Sequence, residues 1–147
     1  MDNLIQMRNY FNSGITKPFS FRKEQLIKLK AAVKKYEDQL HQALYADLKK
    51  SPEECWVTET GFLLSEITHT LKNLKNWMEP ESVSTNLLNM PSKSFVMQEP
   101  LGIILIISPW NYPFQLLMTP LAGANSEAFS ITQFPAAIAP ANGVINN

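Results

Sequence analysis

The chain has 147 residues, 45% of them hydrophobic, which suffices for one modest core and amounts to one domain's worth. Thirteen Lys and Arg balance thirteen Asp and Glu, so there is no basic footprint for nucleic acid or for an acidic membrane surface. The sole cysteine, Cys55, excludes an internal disulfide and suits a reducing compartment, and the absence of a signal-peptide core near Met1 makes the cytoplasm the expected location.

Residues 1–82 read as helices. Leu26, Leu29, Val33, Tyr36, Leu40, Leu44 and Leu48 recur at steps of three and four, with charged residues on the other face, and predict one long amphipathic helix. A second helix starts at Ser51-Pro52-Glu53-Glu54, where Ser51 can cap, Pro52 takes the first helical position and Glu54 can close a capping box. Trp56, Thr60, Leu63, Ile67, Leu71, Leu74 and Trp77 carry its apolar stripe towards Pro80, and the two helices are expected to pair antiparallel through these stripes. Cys55 lies in the first turn, where a helix dipole can lower a thiol pKa, yet a lone free cysteine is more often a small buried hydrophobe. His41 and His69 have no second ligand at a suitable spacing, so no metal site is read. Glu53 and Glu54 are adjacent, and neighbours on a helix do not converge on one substrate.

Ser82–Asn86 and Lys93–Met97 predict two short strands joined by a turn at Asn89-Met90-Pro91-Ser92. Beyond Pro100 the only charged residue is Glu127. Leu101–Ile107 is a continuous isoleucine-rich run and predicts a strand covered on both faces in a parallel sheet. Ser108-Pro109-Trp110-Asn111-Tyr112-Pro113 ends it, and Pro113 suits the first turn of a helix. A loop between strand end and helix start is where open α/β sheets bind ligands. Asn111, held between prolines and aromatics, can offer a fixed amide to a developing oxyanion, although on spacing alone a turn asparagine bonding its own backbone is the better reading. Tyr112 and Phe114 read as core fillers. The uncharged stretch Leu101–Ala124 is long enough to span a membrane, but Pro109, Asn111, Pro113 and Pro120 make a stable spanning helix improbable.

Together with Arg8-Asn9-Tyr10-Phe11, Phe21-Arg22-Lys23, Ala43-Leu44-Tyr45-Ala46-Asp47-Leu48-Lys49-Lys50-Ser51 and Glu59-Thr60-Gly61-Phe62, the stretch Glu99–Ala124 resembles the aldehyde dehydrogenases, and most closely their class 3 or fatty-aldehyde branch, over about residues 3–124. The resemblance implies an α/β family fold. Of that fold this chain holds a helical segment (1–82), a β-hairpin of the oligomerisation arm (83–99) and the first strand and helix of a truncated Rossmann-like cofactor domain (100–124). It further implies oxidation of an aldehyde to a carboxylate with NAD or NADP through a cysteine thiohemiacetal, on medium or long-chain aldehydes, in a homodimer and without a membrane anchor in this segment. It assigns Asn111 as oxyanion donor and Ile107, Ser108, Pro109 and Trp110 as cofactor wall. The family's nucleophilic cysteine, general-base glutamate and adenosine-binding lysine lie beyond the match, and Cys55 precedes the cofactor domain. This chain alone is therefore expected to be inactive, with a non-catalytic helical interaction fragment as the alternative.

After Ala124 the family would continue with Ile-Ala-Ala-Gly-Asn, a second strand and Lys-Pro-Ser-Glu, and residues 125–147 contain none of these. If the codons of the tail are reverse-complemented and read one base out of frame, Asn147 back to Ala139 becomes Leu-Leu-Met-Thr-Pro-Leu-Ala-Gly-Ala, the text of Leu116–Ala124. Most of those positions are forced by the genetic code and the rest are permitted by it. Continuing back from Ile138 yields the missing Ile-Ala-Ala-Gly-Asn. Residues 125–147 are therefore read as an antisense translation of inverted DNA, not as a selected protein segment.

Overall fold

In the computed structural model, residues 2–126 are described; nearly all of the tail read as antisense lies outside them. After α1 (Asp2–Asn12), the expected long helix is two helices, α2 (Phe19–Lys35) and α3 (Glu37–Leu48). Tyr36 separates them at φ −105 and ψ 11. Its N–H closes α2 on the Ala32 carbonyl at 3.0 Å, and its own carbonyl opens α3 by accepting from Leu40 N–H at 2.9 Å. Charge favours a break at this point: Lys34 and Lys35 sit at the negative end of one helix dipole, and Glu37 and Asp38 at the positive end of the next. A one-residue interruption preserves the three- and four-residue leucine spacing, which is why periodicity alone reads straight through it.

The second helix starts as the sequence predicts. Ser51 Oγ accepts from Glu54 N–H at 3.2 Å and Pro52 occupies the first turn. The acid that turns back to the Ser51 hydroxyl is Glu53, not Glu54; its own backbone N–H and that hydroxyl hold its carboxyl below the ordinary range. The helix then changes pitch. After α4 (Pro52–Cys55) comes a π-helical turn, Trp56–Thr60, before α5 (Gly61–Met78). Gly61 permits it, since a Cβ there would stand 2.5 Å from the Trp56 carbonyl oxygen and 3.2 Å from the indole ring. One consequence is that Trp56, expected in the apolar stripe, is 55% exposed, while Leu63, Ile67 and Leu74 are fully buried.

The two long helical stretches do pair antiparallel. Lys30 Nζ donates to Thr68 Oγ1 at 2.7 Å and Thr60 Oγ1 donates to Glu37 Oε1 at 2.8 Å, so residue numbers rise along one partner as they fall along the other. A third helix, α6 (Pro113–Ser126), completes the core. Leu26 and Val33 of α2 and Leu63, Ile67 and Leu74 of α5 cluster with Ala122 of α6, flanked by Phe114 and Met118.

The hairpin is present but shorter than predicted, with β1 (Glu81–Val83) antiparallel to β2 (Ser94–Val96) and Ser82 opposite Phe95. Its connection contains a 3-10 turn, Leu87–Asn89, begun by Asn86 Oδ1 accepting from Leu88 N–H at 3.2 Å. The run Leu101–Ile107 is not a strand: the hairpin is the one sheet among the described residues, and the run has no ladder partner in it. Nor is the run covered on both faces. Leu101, Leu105 and Ile107 are 83–86% exposed, whereas Gly102, Ile104 and Ile106 are half-buried. A strand is completed by its neighbours, and an apolar run without them cannot close a ladder.

Candidate functional site

The segment after Ile107 is shaped by the start of α6. Tyr112 is its N-cap residue, its carbonyl accepting from Leu116 N–H at 2.9 Å, and Pro113 follows in the first helical position. Tyr112 stands at φ 49, in the left-handed region that a bulky residue enters only when its surroundings impose it. Ser108 is half-buried, and its hydroxyl donates to the Pro109 carbonyl at 3.2 Å and the Pro113 carbonyl at 3.4 Å, folding the two ends of the turn together. Ile107 is 83% and Trp110 74% exposed, and Pro109 is exposed beside them. Asn111 is exposed at the apex and bonds to no group among the described residues. The self-bonded asparagine turn favoured by spacing is thus not formed.

The residue that anchors this turn is one that sequence reasoning missed. Glu59, in the π-helical turn, is fully buried. Its Oε2 accepts from Gln115 N–H, in the first turn of α6, at 2.9 Å, and its Oε1 accepts from Lys50 Nζ at 2.5 Å. The Lys50 ammonium in turn lies 4.2 Å from the centroid of the Tyr112 ring. Tyr112, expected as a core filler, is instead 37% exposed and clamped by a cation; Phe114 does pack on the core. A signal for Glu59 did exist, since it stands four residues after Cys55 and four before Leu63, an acid within an apolar column at helical spacing.

The other candidates resolve into packing. Cys55 is fully buried, and burial pushes its thiol pKa above the ordinary value, the opposite of what a nucleophile needs. His41 Nε2 lies 3.1 Å from Thr60 Oγ1. His69 pairs with Asn73 at 3.3 Å and tilts against the Trp77 ring at 5.8 Å. No three His, Cys, Asp or Glu side chains converge among the described residues.

A tight turn with an open amide at its apex, fixed at a helix N-terminus and flanked by exposed apolar side chains, has the layout of the ligand edge of an α/β enzyme domain. Residues 6–126 match the sequence model of the aldehyde dehydrogenase family, and the chain belongs to that family. It is 47% identical over 127 residues to the 4,4'-diaponeurosporen-aldehyde dehydrogenase of Staphylococcus aureus, a match covering 83% of this chain and 28% of that protein. It is 45% identical over 123 residues to aldehyde dehydrogenase family 3 member B3 of Mus musculus, covering 84% and 26%. A solved structure, the substrate-bound state of Staphylococcus aureus AldH, superimposes with a TM-score of 0.84 at 45% identity over 86% of this chain and 28% of that one. These are class 3 homologues, as the sequence resemblance implied. The chain spans less than a third of their length and corresponds to their N-terminal part.

Proposed function

We propose that this chain supplies the N-terminal segment of an NAD(P)-linked aldehyde dehydrogenase that oxidises medium or long-chain aldehydes to carboxylates in the cytoplasm. In this reading residues 1–82 are the helical segment, 83–99 the arm through which a homodimer forms, and 100–124 the opening of the cofactor domain, with residues 125–147 an antisense tail. Asn111 donates its side-chain N–H to the oxygen that becomes negative when the aldehyde carbon turns tetrahedral, and Ile107, Ser108, Pro109 and Trp110 form one wall of the cofactor site. The observation that carries the reading is the Asn111 amide, exposed and unbonded among the described residues on a turn fixed at both ends.

The wall residues fit such a group. Ile107 and Trp110 leave apolar surface open to water just before the start of α6, and covering that surface with a flat ligand is favourable. A nicotinamide held against Ile107, Ser108, Pro109 and Trp110 would supply the hydride acceptor for the oxidation. This chain's part is to position: Asn111 directs a donor at the developing charge, and Trp110 and Ile107 exclude water beside it. Cys55, fully buried and with its thiol pKa pushed up by burial, is not placed to attack the aldehyde carbon.

Two experiments test the reading. The purified chain, mixed with NAD or NADP and an aliphatic or aromatic aldehyde, is expected to give no rise in absorbance of reduced cofactor; reduction that survives Cys55→Ala would overturn the inventory of residues. Residues 1–124 grafted in place of the matching part of the Staphylococcus aureus relative should yield an active dehydrogenase. In that chimera Asn111→Ala is expected to lower kcat by about 10²–10³-fold, and an unchanged kcat in a folded chimera would remove Asn111 from the chemistry.

A further inference from the structure

We infer that Glu59 and Lys50 are positioning residues for the Trp110–Asn111–Tyr112 turn: the Glu59 carboxylate caps α6 from another helix and holds the ammonium that clamps Tyr112, so that the Asn111 amide is presented before any ligand arrives. The inference rests on Asn111 as the oxyanion donor.

An N-cap residue ordinarily satisfies the N–H two or three positions on with its own side-chain oxygen. Tyr112 cannot reach back in that way, and the open donor is Gln115 N–H, which finds Glu59 Oε2 at 2.9 Å from 56 positions earlier in the chain. This is a charge-assisted bond laid on the positive end of a helix dipole. The second carboxylate oxygen is committed to Lys50, whose side chain is 11% exposed, and Lys50 covers the ring of the residue in the left-handed conformation. The helix start that follows Tyr112 and the ring of Tyr112, the immediate neighbour of Asn111, are therefore held by the buried Glu59 carboxylate and by the Lys50 ammonium it binds.

The placement depends on pitch. In an unbroken α-helix, removal of the residue that the π turn inserts would rotate everything before it by about 100° relative to α5 and take Glu59 away from α6. Gly61 provides the room for that insertion, and only a residue without Cβ does so. Neither Glu59 nor Lys50 touches Asn111, so they act through the turn and not on the substrate.

The test uses the ¹⁵N-labelled full chain and reads amide exchange at Gln115, exchange at Leu63 as the core reference, and the dispersion of the Asn111 side-chain amide resonances. Glu59→Gln is expected to speed Gln115 exchange at least about tenfold relative to Leu63 and to collapse the Asn111 dispersion, with helical circular dichroism unchanged. Should Glu59→Gln fail to fold, Lys50 decides: Lys50→Met is expected to loosen the Asn111 amide and Lys50→Arg, which keeps the cation over the ring, to restore it. Unchanged Gln115 protection and Asn111 order in folded Glu59→Gln, or identical Asn111 order in all three Lys50 chains, would overturn the inference. None of these readouts needs turnover, so this failure is separable from failure of Asn111→Ala in the chimera. A kcat loss there with an unmoved turn here overturns the positioning role alone, and a loosened turn with no kcat loss overturns the donor role on which positioning depends.

Discussion

Cys55 illustrates how much a single side chain's surroundings decide. Its place in the first turn of a helix could have activated the thiol, but full burial wins over the nearby Lys50 charge and raises its pKa. Native chain is expected to react with a thiol reagent far more slowly than chain in urea, and equal rates would show the site to be open. The sign of the pH effect follows. The folded thiol keeps its proton longer than the unfolded one, so its contribution is intact below the unfolded value of about 8.5 and is lost as pH rises through the folded value. Urea midpoints at neutral and alkaline pH should therefore fall further for the parent chain than for Cys55→Ala. Glu59 is the counter-case: the sequence shows an acid in an apolar column, but only the fold brings Lys50 and Gln115 N–H to its two oxygens. Periodicity reports which face a residue is on, not which distant donor will meet it there.

At the scale of elements, the legible features were those written in local chemistry. Ser51 and Pro52 mark a helix start that forms as read, because cap and φ restraint act within one turn. The break at Tyr36 and the π turn at Trp56–Thr60 were not legible, since each alters pitch by a residue without disturbing an apolar spacing of three and four. Gly61 was the local trace of the second. Gly61→Ala is expected to destabilise the chain by about 1–3 kcal/mol, because a Cβ would press on the backbone oxygen of Trp56 and not on a yielding side chain; a thermal melt checks it. The reverse holds at Lys49, which ends α3 in the left-handed conformation at φ 58. Lys49→Gly relieves a non-glycine residue of that conformation and should raise stability by about 0.5–1 kcal/mol, visible as a higher melting temperature.

For the whole molecule, the helices before Pro80 share their core with a helix from beyond Pro100. α6 lies beyond Pro100 yet contributes Ala122, with Phe114 and Met118, to the same core as Leu26 and Leu74. A chain ending at Glu81 loses this cover, so it is expected to melt below a chain ending at Ser126; an equal or higher melting temperature would show α6 to be dispensable. The intervening run, expected to be covered on both faces, instead leaves apolar side chains in water. Leu101 and Leu105 are 86% and 83% exposed, and uncharged apolar segments of this kind template association. Leu101→Lys with Leu105→Lys should reduce aggregation on size-exclusion chromatography, at a cost in stability within about 0.5 kcal/mol as for other exposed sites.

The cap that Glu59 provides to α6 also sets an order of assembly. The helices α2, α3 and α5 close within their own turns and α2 meets α5 across 38 residues at Lys30–Thr68, whereas the Glu59–Gln115 bond closes a longer loop of 56 residues, and the longer closure consumes more chain entropy. The turn bearing Asn111 is therefore expected to become native last among the described residues, docking onto a helical pair that already exists. Kinetically, substitution at Glu59 should act on escape from the native state and leave the rate of reaching it nearly unchanged. In stopped-flow chevrons of Glu59→Gln, the unfolding limb is expected to rise while the folding limb stays in place.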